Sequence, residues 1–350
     1  MAYNIAVGSY TNDIVTLSFD PENATLKVAS SLTVGHHPSW LTAHPSHPSL
    51  VWTGLEQADG KVLTLRFDEN GKGEIVSETQ SGGKDPCHLF ALKDELIIAN
   101  YSSGTVGSLP IVSDAKLDSV VATVQLSGTG PNKSRQEGSH PHQVILHEEH
   151  QELLVPDLGS DNVCRLKKSS DGTWELKGHV GVEAGGGPRH VAFYDGDLFT
   201  VLELKSKVVR HRFPPLPALP TFVKSVDTMS KPPPTPNDML SAEILIPPTN
   251  ASFPTHYCYV SNRNDPSPEG DIISVFAIEG PDALELVTEF RSGLNHLRGM
   301  VFGGPDNKYL VAGGANGGGA KVFERIDGGK SFKVVAQLAS VEAPTAFLWL

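Results

Sequence analysis

The feature that most constrains this fold is a two-part unit that recurs along the chain. Each unit opens on a short landmark and an apolar run, and a second apolar run then ends on a polar residue. The clear landmarks are Pro38-Ser39-Trp40-Leu41, Pro86-Cys87-His88-Leu89, Pro141-His142-Gln143-Val144 and Pro188-Arg189-His190-Val191. Their spacing of roughly 50 residues lies in the range of propeller repeats.

Weaker copies of the unit continue toward the C-terminus. They contain Ala242-Glu243-Ile244-Leu245 and Leu297-Arg298-Gly299-Met300. With one further unit split between the chain ends, the count is seven. We therefore predict an all-β, seven-bladed β-propeller closed by pairing of N- and C-terminal strands, with residues 333–338 as an example of the C-terminal partner. Such closure removes the open sheet edges.

We predict one propeller domain over residues 1–350, with a Pro-rich insertion at about residues 212–240. Residues 214–236 carry eight prolines between the fourth and fifth units. Since proline cannot donate to a sheet ladder, we interpret this segment as a surface excursion. It either lies over one face of the propeller or is an insertion without a function.

Composition excludes several classes of partner. The net charge of -12 argues against nucleic acid, which requires a basic surface. The three cysteines show neither disulfide nor metal spacing. The sequence has no signal-peptide pattern and no run long enough for a bilayer, so we expect a cytoplasmic protein without a membrane partner. The pattern does not specify an oligomeric state.

The residues that break the uniformity of the repeat are the candidates for chemistry. In a propeller, the first strand of a blade begins at the same face at which the second strand ends. His142 and Arg189 fall at such starts, whereas Glu203 and Arg263 fall at such ends. We predict that the four side chains gather at one mouth of the channel. Structural alternatives remain: Glu203 could accept backbone N–H groups, and Arg263 could pair with a loop carboxylate.

The histidines have similar alternatives. His88 and His190 occupy repeat positions and could be hydrogen-bonded core side chains. His140 and His142 lie two residues apart, on the same side of a strand, and could form a metal pair. No third ligand is indicated nearby, so we predict no metal and no other cofactor.

At these residues the sequence resembles the seven-bladed propeller lactonases. This family includes bacterial 6-phosphogluconolactonases of that type and fungal 3-carboxy-cis,cis-muconate lactonizing enzymes. The resemblance covers nearly the whole chain and is carried by Val7-Gly8-Ser9-Tyr10-Thr11, His140-Pro141-His142, Val155-Pro156-Asp157-Leu158-Gly159, Gly187-Pro188-Arg189-His190, Glu203 and Tyr259-Val260-Ser261-Asn262-Arg263. It implies an active site of His142, Arg189, Glu203 and Arg263.

The function implied by the resemblance is metal-independent hydrolysis of a sugar lactone, such as 6-phosphogluconolactone or a related aldonolactone. His142 and Glu203 would form the acid–base pair, with either one as the base, and the two arginines would bind an oxyanion, carboxylate or phosphate. The predicted substrate contacts are Tyr10, His88, Asn100, His140, Asp157, His190 and Arg298. Two alternatives are a 3-carboxy-cis,cis-muconate cyclase, which forms a lactone, and a non-catalytic interaction scaffold. In the enzymatic cases the partner is a small lactone or carboxylate.

Overall fold

A computed structural model describes residues 2–112, 117–118, 122–232 and 238–350. These residues form seven four-stranded antiparallel sheets, which are the blades of a propeller. The predicted fold is therefore confirmed. Within the described ranges, the only helical elements are the single 3₁₀ turns Pro305–Asn307 and Asp327–Gly329.

The blades are numbered along the chain, and the strands of each are given from the channel outward. Blade 1 contains β28 (Pro344–Trp349), β1 (Tyr3–Ser9), β2 (Asp13–Asp20) and β3 (Thr25–Thr33). Blade 2 contains β4 (Pro38–His44), β5 (His47–Leu55), β6 (Lys61–Phe67) and β7 (Gly73–Gln80). Blade 3 contains β8 (Pro86–Ala91), β9 (Glu95–Asn100), β10 (Thr105–Pro110) and β11 (Ala122–Gln125).

The remaining four blades follow the same order. Blade 4 contains β12 (Ile145–His147), β13 (Glu152–Asp157), β14 (Asn162–Lys168) and β15 (Trp174–Gly181). Blade 5 contains β16 (Pro188–Tyr194), β17 (Asp197–Leu202), β18 (Lys207–Arg212) and β19 (Thr221–Asp227). Blade 6 contains β20 (Ser241–Leu245), β21 (Tyr257–Asn262), β22 (Ile272–Ala277) and β23 (Glu285–Arg291). Blade 7 contains β24 (Asn295–Gly303), β25 (Tyr309–Gly317), β26 (Gly319–Ile326) and β27 (Ser331–Leu338).

Burial explains the strand pattern seen in the sequence. The second strands β13, β17 and β21 are buried along their whole length because both of their faces are covered, so they read as continuous apolar runs. Outer strands such as β23 mix exposed and half-buried positions. In the described part of the chain, seven apolar clusters lie between neighbouring blades, one at each interface. The core is therefore a ring of interfaces between blades.

The ring closes between the chain ends, but with a different C-terminal strand from the one predicted. The inner strand β28 pairs with β1, with Ile5 opposite Trp349 and Val7 opposite Phe347. Residues 333–338 instead belong to β27, which pairs with β26 at the outer edge of blade 7. Residues 333–338 complete blade 7 as part of its fourth strand, so the last apolar run of the chain, β28, is the inner strand of blade 1.

The Pro-rich segment is partly blade rather than wholly a surface excursion. Its residues Thr221–Asp227 form β19 and pair with β18. The preceding prolines pack toward blade 4, where Arg165 donates to the carbonyl oxygens of Pro214 at 2.7 Å and Ala218 at 3.1 Å. Residues 233–237 of the predicted insertion lie outside the described residues.

Two further expectations concern the cysteines and the membrane. All three cysteines are buried and free. None of the helical segments in the described ranges has the length and apolar character required to cross a bilayer.

Candidate active site

Each inner strand approaches the channel mouth, the end at which inner strands begin and second strands end. At this mouth the pairing is irregular: it skips Arg189 in β16, Arg298 in β24 and Cys87 in β8. A bulge of one extra residue re-aims side chains that would otherwise alternate between the two faces of a sheet. Because of it, the successive residues Arg189 and His190 both take part in one polar cluster.

Glu203 lies at the centre of that cluster, directly after β17. Its side chain is about 2% exposed. One carboxylate oxygen, Oε2, lies 3.1 Å from Arg189 Nε and 2.8 Å from Arg263 Nη2. The other, Oε1, accepts a hydrogen bond from Arg135 Nη2 at 2.6 Å. Three of the four residues predicted to be catalytic are therefore in direct contact, as the repeat positions indicated.

These contacts determine the charge of Glu203. Burial by itself would raise the pKa of this carboxyl, but the guanidinium groups of Arg263, Arg189 and Arg135 outweigh burial and hold the pKa well below its usual range. Glu203 is therefore an ionised anchor for three arginines at neutral pH. A carboxylate in this state has no proton to donate to a leaving group.

Backbone carbonyl groups of blade 6 fix the two buried arginines. Arg189 Nη1 donates to Ala242 O at 2.7 Å, and Arg263 Nη2 donates to Ser241 O at 2.9 Å. Each guanidinium is thus held by both a carboxylate and a carbonyl oxygen. This arrangement pre-orients the remaining N–H groups for an incoming oxyanion.

His142 enters the same region from blade 4. Its backbone N–H donates to Pro156 O at 2.9 Å, and its ring lies 5.3 Å from that of His190. Burial, reinforced by the charge of Arg189, lowers the pKa of His142 well below its usual value. The imidazole is therefore neutral, and its Nδ1 has no hydrogen-bond partner among the described residues. Such a group can accept a proton.

Arg298 and Tyr10 join the cluster from blades 7 and 1. The Arg298 guanidinium lies 5.1 Å from the centre of the Tyr10 ring, within the range of a cation–π contact. Burial raises the pKa of Tyr10 to about 12, so the phenol stays protonated. Unlike Arg189 and Arg263, Arg298 forms no ion pair with a carboxylate of the described residues.

Two predicted substrate contacts, Asp157 and His140, are already occupied by protein groups, and a third, Asn100, is occupied on its amide nitrogen only. Asp157 accepts from Ser139 Oγ at 2.6 Å, from the His140 and Gly159 N–H groups, and from Ser160 Oγ at 2.7 Å. These four donors match the lone-pair positions of a carboxylate, so Asp157 organises the connection from β13 to β14.

His140 and Asn100 also have protein partners. The ring nitrogens of His140 lie 3.0 Å from Tyr101 O and 3.1 Å from Glu137 Oε1. Asn100 Nδ2 donates to Ser81 O at 3.1 Å, whereas its buried Oδ1 has no hydrogen-bond partner among the described residues. In the described ranges, no group of three or more His, Cys, Asp or Glu side chains is arranged to hold a metal ion.

Aromatic and imidazole rings form a layer next to the arginine cluster, one residue further along the inner strands than the position of Arg189. The His88 ring is 4.1 Å from that of Trp40 and 5.6 Å from that of His190, whose Nδ1 is 2.7 Å from Glu243 Oε1. Beyond this layer the channel widens into a cavity of about 460 Å³ with mostly aliphatic and aromatic walls. Trp40, His88 and Glu243 form part of the wall of this cavity, whereas the residues of the arginine cluster do not line it.

Sequence reasoning missed Arg135, Glu243 and Trp40 as members of the cluster. Glu243 occupies the same position in the weak fifth unit that His190 occupies in the fourth unit. Strict use of the repeat register would therefore have identified Glu243. The same register would have found Trp40 in the first unit, which is blade 2 of the propeller. Arg135 lies in the connection between blades 3 and 4, outside the repeat, and the sequence carries no signal for its contact with Glu203.

Comparison with known proteins gives a consistent result. Residues 4–349 match the family model described as "Lactonase, 7-bladed beta-propeller". A 6-phosphogluconolactonase of Bacillus subtilis is 26% identical over 357 residues, with 98% of this chain and 97% of the relative covered. Two solved structures share the fold at 23% identity and cover 100% of this chain. They are a Lactobacillus plantarum protein, with a TM-score of 0.86 and 100% of its own chain covered, and the periplasmic gluconolactonase of Pseudomonas aeruginosa, with 0.83 and 99%.

Proposed function

The chain belongs to the seven-bladed β-propeller lactonases, and we propose that it hydrolyses an anionic sugar lactone. The substrate class is 6-phosphogluconolactone or a related aldonolactone that carries a negative group. The proposed reaction opens the ring ester to the free acid at the channel mouth, and no metal or cofactor takes part.

The excess of guanidinium groups over carboxylates carries this proposal. Arg135, Arg189 and Arg263 share the carboxylate of Glu203, and Arg298 forms no ion pair within the described residues. The carboxylates of Glu56 and Glu203 act on Arg298 only from a longer distance, so guanidinium groups remain in excess. The cluster is buried in a protein of net charge -12, so the positive charge is local. An anionic substrate would offset this charge and would be drawn to the mouth by it.

In the proposed mechanism, His142 is the base. The neutral imidazole takes a proton from water while the water oxygen attacks the lactone carbonyl carbon. Burial is the main cause of the low pKa of His142, and the charge of Arg189 lowers that pKa further. An anionic substrate offsets the contribution from Arg189, so the proton affinity of His142 rises when the substrate binds. The charge that develops on the carbonyl oxygen is stabilised by Arg189 and Arg263.

The tetrahedral intermediate then collapses. The bond between the carbonyl carbon and the ring oxygen breaks, and the ring oxygen leaves as an alkoxide that needs one proton. Because three guanidinium groups keep Glu203 ionised, we assign the carboxylate to positioning Arg189 and Arg263 rather than to proton transfer. The donor is therefore the protonated His142 or a neighbouring acid.

The test is a pH-stat assay with chelator present and with spontaneous hydrolysis subtracted. 6-Phosphogluconolactone, glucono-δ-lactone and 3-carboxy-cis,cis-muconate are supplied in turn. We expect release of acid from the phosphorylated lactone at a rate that the chelator does not change. Loss of the muconate absorbance with no lactone hydrolysis would replace the proposal with the cyclase, and inactivity on every compound would overturn it.

Arg298 is the proposed receptor for the negative group of the substrate. The Arg298→Gln variant should lower kcat/KM for 6-phosphogluconolactone about 10- to 100-fold, the loss expected for a charge-assisted hydrogen bond. The matched control is Arg291→Gln, which removes a guanidinium that is paired with Asp265 at the outer end of β23. An equal loss on glucono-δ-lactone would contradict recognition of the negative group.

Two expectations about cellular context stay predictions. The cytoplasmic location rests on the sequence pattern alone, and the periplasmic description above belongs to the Pseudomonas protein. The absence of nucleic-acid and membrane partners rests on the acidic composition and on the lack of a suitable apolar run.

A further inference from the structure

His190 and Glu243 form a second titratable pair beside the arginines. They lie on the neighbouring inner strands β16 and β20, and their side chains are about 1% and 6% exposed. His190 Nδ1 is 2.7 Å from Glu243 Oε1, which also accepts the Ile244 N–H at 3.1 Å. The other ring nitrogen, Nε2, is 3.4 Å from Arg189 Nη1 and therefore faces the arginine cluster.

The contact between the two side chains couples their protons. A neutral imidazole carries one N–H. When Glu243 is ionised, that hydrogen lies on Nδ1 and points to the carboxylate, which leaves Nε2 as an acceptor. When Glu243 is protonated, its O–H donates to Nδ1, and the imidazole hydrogen lies on Nε2. One proton added to the pair thus turns Nε2 into a donor without producing an imidazolium ion.

Two influences oppose each other. Arg189 Nη1 can only donate, so its contact with His190 Nε2 favours the first arrangement, whereas the raised pKa of Glu243 favours the second. Burial, followed by the charges of Arg189 and Arg298, lowers the pKa of His190 well below its usual value, whereas burial raises the pKa of Glu243 to about 7. The extra proton therefore resides on the carboxyl group. The titratable and charged groups that face the pair from the packed elements are His88, His142, Arg189, Glu203, Arg263 and Arg298.

We propose that Glu243 is a positioning residue that makes His190 the proton donor to the leaving alkoxide, an inference that rests on the proposed lactone hydrolysis. His190 Nε2 gives its proton to the ring oxygen as the C–O bond breaks, and Nδ1 takes the proton of Glu243. Glu243 is left as a carboxylate. The proton that His142 removed from water returns to the pair, and the acid product releases one proton to solvent.

The kinetic test compares Glu243→Gln with Glu243→Asp. We expect kcat of the wild type to fall as pH rises above about 7, because the protonated pair is lost. In Glu243→Gln, kcat should be about 100-fold lower, the usual scale of general acid catalysis, with KM within about twofold and without this alkaline fall. Glu243→Asp should restore part of kcat and the alkaline fall.

The control is Glu152→Gln, which alters a fully buried glutamate paired with Arg165 at the far end of blade 4. It should lower the melting temperature and leave the pH profile unchanged. Wild-type kcat in Glu243→Gln would overturn the proposal. A lower kcat that keeps the wild-type alkaline fall would overturn it as well, since Glu243 would then be only structural.

A substrate-free measurement separates this inference from the proposed function. In ¹⁵N-histidine NMR spectra, assigned with His190→Gln, the His190 proton should move from Nε2 to Nδ1 as pH rises through about 7. A conventional imidazolium titration would overturn the relay even if the enzyme is a lactonase. A tautomer shift in a protein that hydrolyses no lactone would refute the proposed function and leave the coupled pair intact.

Discussion

Replacing Glu203 with glutamine tests whether this carboxylate is the anchor of the arginine cluster. The amide keeps the shape of the side chain but removes the charge that three guanidinium groups share at 2.6, 2.8 and 3.1 Å. Loss of one partner from a buried ion pair costs about 3–5 kcal/mol. For 350 residues the entropy of unfolding is about 0.7 kcal/mol per kelvin, so the melting temperature should fall by about 4–7 °C at pH 7.

The effect should depend on pH with a defined sign. The pKa of Glu203 is lowered in the folded protein, so the carboxylate stabilises the fold above its unfolded pKa, and this stability is lost as pH falls. The difference between variant and wild type should therefore be largest at neutral pH and shrink below about pH 4.5, near the ordinary pKa of a glutamate.

The assay is thermal unfolding followed by circular dichroism from about pH 2.5 to pH 8, a range that includes the acidic side on which the difference should shrink. Glu183→Gln is the matched control, because Glu183 pairs with Lys205 and Lys207 with about a third of its side chain exposed. Partly exposed pairs contribute about 0–1 kcal/mol, so this variant should shift the melting temperature by no more than about 1 °C. Equal shifts for the two variants, or a Glu203→Gln difference that does not change with pH, would refute the anchor role.

Three further predictions follow from the same contacts. Glu243→Gln should show the opposite pH dependence to Glu203→Gln: the raised pKa of Glu243 costs the wild type stability as pH rises from about 4.5 to 7, so the variant should gain melting temperature relative to wild type over that range. If the melting temperature of the variant falls relative to wild type as pH rises, the pKa of Glu243 is not raised by burial. His142→Ala should lower kcat about 10²- to 10⁴-fold with a melting temperature close to wild type, and retained turnover would remove His142 from the mechanism. Removal of residues 344–350 should abolish cooperative unfolding because β1 loses its inner partner, whereas removal of Leu350 alone should not; a cooperative transition in the longer truncation would refute closure by β28.

Much of the fold could be predicted because a propeller is built from local units. Each hairpin and each buried second strand follows from apolar runs and turns within about 50 residues, which is the length of one repeat. The choice of the closing strand could not be predicted in this way. The runs that became β27 and β28 are both apolar and both adjacent to the C-terminus, and only packing against blade 7 assigns the first of them to its outer edge.

In the candidate site, too, some features could be predicted from the repeat and others could not. The position of a residue in its repeat determined that His142, Arg189, Glu203 and Arg263 approach one mouth, because strand starts and strand ends share a face. The protonation of those groups depends on neighbours that are distant in sequence. Arg135 reaches Glu203 across 68 positions, and His190 meets Glu243 across 53.

The sequence by itself therefore determined the seven-bladed ring and the face on which its ionisable side chains gather, since both follow from a periodic pattern that each unit carries. Only the tertiary structure decided that Glu203 is an ionised anchor, that Arg298 forms no ion pair in the described ranges, and that Glu243 lies against His190. The physical reason is that burial and the charge of contacting groups control proton affinity, and both arise only when different blades pack together.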